Sequence, residues 1–359
     1  MPDTDSSDKR QLLLDKIRGS LAALAVGDAL GYPAHEMPRE IIIHEFGGWI
    51  TEFKDAPQIN ILHPSMKAGQ ITDDTIMSLV TARAIIESDG LLTADKMGQA
   101  LTRWAQSTTI WETAPMFGPT TKATLRRLIS GEDPVAVGTD GYVSTGGASN
   151  GSAMRIAPVG LIFPGRPDLA AKMAVEASLP THGTTVAIAC TCAVAAAVAE
   201  AAGEDSDIFS IARAAVDGAG IGDEEGRRRG RIVPSPDVAD RICQAVDIGF
   251  RTRDVIEAGE LLGKRLGCTF MAVESVPTAI GMFVASGGDV QKAMIGGANA
   301  GGDTDSIASI AGAIAGAFKG ISHVPADLYG EVESINKLGL KELASQLHKI
   351  AVRNLKANN

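Results

Sequence analysis

Leu13, Ile17, Leu21 and Leu24 recur along the segment from Asp8 to Leu30 at the spacing that places side chains on one face of an α-helix. Gly31 and Pro33 follow and end that helix in a loop. The same periodicity predicts helices over 73–87, 93–106, 184–202, 238–250, 254–266, 275–284, 290–296 and 306–318, with another entered from the loop at Gly118 and running to Leu128. In the 306–318 helix, Gly312 and Gly316 form a small-xxx-small face along which a second helix can approach closely. Short β-branched runs bounded by turns are scarce, so the fold class expected is mainly or wholly α-helical.

Composition agrees with that picture. Aromatic residues make up only 4% of the 359, whereas Gly numbers 40 and Ala recurs throughout, a mixture suited to closely crossing helices. No fixed-period repeat and no shift in composition marks a boundary. The expected organisation is a polar tail over 1–10 and a single helical domain over 11–355. The formal charge of -10 argues against binding a nucleic-acid backbone, which needs clustered Lys and Arg. The one basic run, Arg227-Arg228-Arg229 with Arg231, lies between glycines and ahead of Pro234 and Pro236. It reads as a solvated loop, the alternative being a flap that contacts phosphate.

Cys190, Cys192, Cys243 and Cys268 lack metal-type CxxC pairing and are expected to be buried free thiols. The N-terminal MPDTDSSDKR lacks the apolar core of a signal peptide, and no segment reaches membrane-spanning length without polar interruption. A reducing, cytoplasmic setting is the default expectation.

The chemistry concentrates in two acidic clusters, Thr72-Asp73-Asp74-Thr75 and Asp303-Thr304-Asp305-Ser306, each at the start of a hydrophobic helix. Asp and Thr are common at helix starts because they cap free N–H groups and suit the positive end of the helix dipole, so either cluster alone is weak evidence. Together they make a stronger case. Carboxylates that converge repel one another unless a cation joins them, and Mg²⁺ and Mn²⁺ favour hard oxygen ligands. Gly301-Gly302 permits close backbone approach, and the Gly/Ser-rich stretch 144–152 reads as a ligand-contacting loop. The segment 31–71, with His35, Glu36, His44 and His63, is too long for a simple connection and reads as a functional loop or lid.

Gly27-Asp28-Ala29-Leu30-Gly31, Thr72-Asp73-Asp74-Thr75, Asn150-Gly151-Ser152-Ala153-Met154-Arg155, Thr181-His182 and Asn299-Ala300-Gly301-Gly302-Asp303-Thr304-Asp305-Ser306 occur in this order along the chain. In order and content these motifs resemble the ADP-ribosylglycohydrolase family over roughly Ile17 to Gly320. The resemblance implies an all-α orthogonal helical bundle with a binuclear centre of two divalent cations, Mg²⁺ or Mn²⁺. It implies that Thr72, Asp73, Asp74, Asp303, Asp305 and Ser306 hold the metals, with Asp28 bracing them. It also implies that Gly147, Ser149, Asn150, Gly151 and Ser152 cradle the phosphates of ADP-ribose, and that His182 lines the ribose end. Where the family carries a glutamate beyond the first motif, this chain has His35 with Glu36 adjacent. Glu36 is the preferred candidate for the glutamate's role of holding a metal or poising the water, with His35 as the alternative, serving as ligand or base, and Asp74 as a further catalytic residue.

The function expected from this resemblance is metal-dependent hydrolysis of a glycosidic bond at C1 of a ribose, removing ADP-ribose from a protein side chain or a small acceptor. Two alternatives are a hydrolase of nucleosides or other small ribosyl compounds and a non-catalytic ADP-ribose-binding module. A metal-dependent phosphatase fits less well, because the chain lacks a histidine-rich metal set. Tyr32, Trp111, Phe117 and Tyr142 are the candidates for stacking on a base.

Overall fold

The computed structural model of the protein describes residues 4–252 and 254–356. Among these residues the chain forms helices and no strand, with three isolated bridges, Met37 to Gly302, Ser149 to Met271 and Thr184 to Arg231. The fold is all-α, as the periodicity predicts.

Its central feature is an antiparallel pair, the Thr4–Gly31 and Thr304–Lys319 helices. Gly19 packs on the Gly316 carbonyl, Gly312 on the Ala23 carbonyl, Gly27 on the Ala308 backbone and Gly31 on the Thr304 and Asp305 backbone. A small residue at every fourth position removes the side chains that hold helices apart, so the two backbones run in contact along their length. This ladder carries the end of the first helix, with Asp28, to the start of the Thr304 helix, with Asp305. Gly312 and Gly316 therefore act as the sequence suggests.

A second close pair joins the Thr185–Ala202 helix to the Ile208–Arg229 helix through Gly218, Gly222 and Gly226. By length and composition Thr185–Ala202 is apolar enough to cross a membrane, but 94% of that window is buried inside the protein. It is a core helix.

Predicted helices over 73–87, 93–106, 184–202 and 306–318 appear as Asp73–Glu87, Ala94–Ser107, Thr185–Ala202 and Thr304–Lys319. Thr72 caps the first of these as expected, its side chain accepting from the Asp74 N–H.

Three local expectations change. The first helix begins at Thr4, ahead of the Asp8 start that the periodicity predicts, and the exposed polar residues Asp8, Lys9 and Arg10 lie within it. The segment 31–71 contains a helix, Arg39–Phe46, rather than loop alone. Arg227, Arg228 and Arg229 form the last turn of the Ile208–Arg229 helix instead of a loop. Arg227 pairs with Asp223 one turn back, Arg228 with Glu225 and Arg229 with Glu176, and cations suit a helix C-terminus. Arg231 lies just beyond that helix, and its guanidinium donates to the Val143 and Gly146 carbonyls. Of the cysteines, Cys190 and Cys192 are buried, Cys268 is half-buried and Cys243 is exposed, all four as free thiols.

Candidate metal centre

Helix starts bring the two acidic clusters together. Asp73 and Asp74 occupy the first turn after the Thr72 cap, and Asp303 directly precedes the Thr304–Lys319 helix, whose first turn holds Asp305. The approach to Asp303 needs left-handed backbone at Gly301 and Gly302, with φ of 86° and 66°. A side chain at Gly302 would strike the Cys268 carbonyl. Gly302 donates its N–H to the Met37 carbonyl at 3.0 Å and accepts from the Glu36 N–H at 2.7 Å. That exchange clamps the residues after the first helix against the second acidic cluster.

The side chains then converge. Ser306 Oγ lies 3.4 Å from Asp74 Oδ2, and Ser309 Oγ donates to Asp74 Oδ1 at 2.7 Å, joining the two clusters. Asn150 Nδ2 donates to Asp303 Oδ2 at 2.5 Å and to Ser275 Oγ at 2.8 Å. Asp28 accepts from Thr72 N–H at 3.0 Å, Thr72 Oγ1 at 2.8 Å, Thr75 N–H at 3.1 Å and Thr75 Oγ1 at 2.5 Å. Its acceptor capacity is used in holding the first cluster, the bracing position expected of it.

His35 stands between the aspartates, with Nε2 3.2 Å from Asp303 Oδ1 and Nδ1 2.9 Å from Asp305 Oδ2. The sequence favours Glu36 over His35, yet His35 is the residue lodged in the acidic cluster. Glu36 adopts φ of 62°, and its side chain is 40% exposed with Oε1 3.8 Å from His35 Nε2. A left-handed glutamate is strained, and such strain gathers at functional sites.

Asp28, Asp73, Asp74, Asp303 and Asp305 are all buried. Burial, followed by repulsion from Asp305 and other neighbouring carboxylates, raises Asp73 and Asp74 well above the ordinary range. Burial and the Asp305 charge push Asp303 to about 8 and Asp28 to about 6. Burial opposes ionisation of Asp305 too, but the charge and hydrogen bond of His35, together with His63, outweigh it and hold this carboxyl below the usual range. Burial disfavours the His35 cation, whereas Asp305, Asp303 and Glu36 stabilise it and carry its pKa to about 10. Buried oxygen donors with this much mutual repulsion fit a divalent cation, which relieves the charge they share.

The Gly/Ser loop divides into two parts. Gly147 takes φ of 69° and its carbonyl accepts from Thr184 Oγ1, while half-buried Ser149 has its Oγ 3.0 Å from His182 Nε2. Gly151 lies under the His182 ring, where a Cβ would collide. Asn150 is drawn to Asp303, as described. Ser152 is buried, with its Oγ 2.6 Å from Thr191 Oγ1 and 3.0 Å from Ser178 Oγ, a network facing the core. His182 is buried with Nδ1 2.8 Å from Thr181 Oγ1. Burial and then the Arg155 charge depress its pKa to about 3, so the ring is neutral.

Among the four stacking candidates, Tyr32, Trp111 and Phe117 are buried in the core and Tyr142 is exposed. Core packing claims the first three because large aromatic rings are the strongest apolar anchors in a chain that has few of them.

Two residues at the centre are absent from the sequence-derived site. Ser309 lies three residues after Ser306 on the same helix face, a signal that was available. His63 comes from the irregular part of the 31–71 segment, where no period points to it. His63 Nε2 is 2.8 Å from His35 Nδ1 and 3.7 Å from Asp305 Oδ2, and the three residues offer ligand atoms within 4.8 Å of one another.

Residues 9–356 match the ADP-ribosylglycohydrolase family. An uncharacterized protein of Escherichia coli, YegU, is 31% identical over 343 residues, spanning 93% of this chain and 97% of its own length. Human ADP-ribosylhydrolase ARH3 is 26% identical over 370 residues and spans 94% of each chain. Among solved structures, an ADP-ribosylglycohydrolase-related protein complex shares the fold, with a TM-score of 0.66 and 24% identity over 95% of this chain and 99% of that one. The chain belongs to the ADP-ribosylglycohydrolase family, a family of hydrolases named for cleaving ADP-ribosyl glycosidic bonds.

Proposed function

We propose that this protein hydrolyses the glycosidic bond at C1 of a ribose, releasing ADP-ribose from a protein side chain or a small-molecule acceptor. The observation that carries this reading is the junction of the two acidic clusters, where Ser309 and Ser306 of one helix reach Asp74 of the other. Thr72, Asp73, Asp74, Asp303, Asp305 and Ser306 would hold two divalent cations, Mg²⁺ or Mn²⁺. Such cations, when bound, orient substrate oxygens and lower the pKa of water.

The chain's own groups supply the rest. Asp28 fixes Thr72 and Thr75 by accepting from the N–H and hydroxyl of each and so holds the first cluster in register. Asn150 sets the orientation of Asp303 through Oδ2. Glu36, beside His35 and partly open to solvent, accepts the proton of the attacking water at a carboxylate oxygen and passes a proton to the departing group. Gly147, Ser149 and Gly151 receive the phosphates of the ADP moiety, with neutral His182 positioning Ser149 Oγ.

A second reading, hydrolysis of a smaller ribosyl compound, draws on the burial of Tyr32, Trp111 and Phe117, which leaves only Tyr142 of the four candidates exposed for stacking on adenine. Parallel assays of ADP-ribosyl-arginine, ADP-ribosyl-serine, O-acetyl-ADP-ribose and free nucleosides, each with Mg²⁺ and Mn²⁺, separate the two readings. The Asp74→Ala variant is expected to lose turnover and Mn²⁺ binding together. Unchanged hydrolysis and unchanged Mn²⁺ affinity in that variant overturn the joint centre. Tight ADP-ribose binding by the wild type with no turnover on any of these substrates identifies a binding module instead.

A further inference from the structure

His63 is held in place by contacts that leave its Nε2 facing His35 and Asp305. Asn60 Nδ2 donates to the Tyr32 and Pro33 carbonyls at 3.0 and 3.1 Å, and its Oδ1 accepts from the Leu62 and His63 N–H groups at 3.1 Å each. This one buried amide staples the turn carrying His63 to the turn that precedes His35. Tyr32 donates its hydroxyl to the Lys67 carbonyl at 2.6 Å and sets its ring edge-on to the His63 ring, centroids 5.5 Å apart. The His63 side chain is fully buried.

The two imidazoles meet nitrogen to nitrogen, His35 Nδ1 and His63 Nε2 lying 2.8 Å apart with Asp305 Oδ2 beside both. Two ligand atoms at right angles on one ion, each about 2.0–2.1 Å from it, lie about 3 Å from each other. The observed separation is close to that value. A proton shared between the rings suits the same separation, and His63 Nδ1, on the far side of its ring, is buried without a hydrogen-bond partner in either case. What points to a cation is that Asp305 Oδ2 converges on both nitrogens, 2.9 Å from His35 Nδ1 and 3.7 Å from His63 Nε2. His35 Nε2, on the far side of its ring, faces Asp303 Oδ1 at 3.2 Å. A carboxylate at the remote nitrogen is the arrangement that orients metal-ligating histidines and raises their basicity.

We infer that His35 and His63 supply two imidazole nitrogens, together with Asp305, to one cation of the proposed centre, and that the site therefore selects a first-row transition ion over Mg²⁺. Imidazole suits Fe²⁺, Ni²⁺ and Zn²⁺, and affinity for nitrogen donors rises from Mn²⁺ through Co²⁺, whereas Mg²⁺ favours oxygen donors and retains its water. The competing account makes His35 a counter-ion that neutralises Asp303 and Asp305 and gives His63 no metal to bind. The inference rests on the metal centre proposed above and leaves Glu36 free to act as the base.

The test uses the full chain loaded with Mn²⁺, with pulsed electron paramagnetic resonance reading the coupling to directly bound ¹⁴N. Calorimetry with Co²⁺ and with Mg²⁺ accompanies it for the wild type and His63→Ala. Wild type should show nitrogen coupling, reduced in His63→Ala, with Co²⁺ affinity falling about tenfold or more and Mg²⁺ affinity changing less than about threefold. Stoichiometric Mn²⁺ binding without nitrogen coupling overturns the inference and leaves the carboxylate centre standing. Undiminished Co²⁺ affinity in His63→Ala overturns it as well. Absence of Mn²⁺ binding in the wild type overturns both this inference and the centre on which it rests. The wild-type spectrum decides by itself if the variant does not fold.

Discussion

The Ser309 hydroxyl donates to Asp74 Oδ1 at 2.7 Å, linking the helix that begins at Asp73 to the helix that begins at Thr304. This bond occupies one oxygen of a buried carboxylate and directs the other, Oδ2, toward Ser306. Ser309 also donates toward the Ser306 carbonyl at 3.1 Å, so its hydroxyl belongs to both the helix and the junction. It orients Asp74 without being one of the expected metal ligands.

Ser309→Ala should therefore weaken Mn²⁺ binding by about tenfold, the cost commonly found when a hydrogen bond that orients a ligand is removed. Calorimetric titration of the variant against wild type measures it. Retention of the wild-type affinity would mean that Asp74 is held by other contacts and that the link between helices is incidental to the metal.

Much of this centre can be read from sequence because helix starts advertise themselves. Thr72, Asp73 and Asp74 are legible as a cap and an acidic first turn, and they lie where expected. The Gly312 and Gly316 face is legible too, but its partner is not, because nothing local in Gly19, Gly27 and Gly31 says which helix they will meet. His63 is hidden for the same reason. It reaches His35 through Asn60, a staple between turns whose pairing exists only once the chain is folded. Ser152 misleads in the opposite direction, because a polar residue in a glycine-rich loop looks ligand-facing until its hydroxyl is found bonded to Thr191 in the core. The arginine run carried a usable signal, Asp223 four residues before Arg227, outweighed by flanking glycines that suggested a loop.

The ladder between the first helix and the Thr304–Lys319 helix makes a direct stability prediction. A Cβ at Gly316 would collide with the carbonyl of Gly19, a backbone atom that cannot rotate away. Gly316→Val should therefore force the pair apart and cost about 3 kcal/mol or more, at the upper end of overpacking penalties. Urea unfolding followed by circular dichroism reads the shift. Gly330→Ala is the control, because Gly330 has open space at its Cβ position and replacing a helical glycine there should stabilise slightly. A Gly316→Val variant as stable as wild type would show that the two helices do not depend on backbone contact.

His182 gives the chain a pH dependence that can be separated from the metal ligands. Its ring is buried between Thr181 and Ser149, hydroxyls that can each donate or accept and so satisfy either protonation state, which leaves burial and charge to disfavour the cation. Burial is the larger cause of the depressed pKa and the nearby Arg155 guanidinium the smaller, taking it from 6.5 to about 3. Between those values the unfolded chain binds a proton at this position and the folded chain does not. The stability tied to neutral His182 is thus fully present above pH 6.5 and is lost progressively as the pH falls toward 3. By pH 5 the loss from this group is about 2 kcal/mol. His182→Gln keeps a hydrogen-bonding amide in place of the ring but cannot take up the proton. Urea unfolding of both proteins at about pH 7.5 and about pH 5 should show wild type losing about 2 kcal/mol more than the variant over that interval. Equal losses in the two proteins would place the acid sensitivity elsewhere and leave His182 with no part in it.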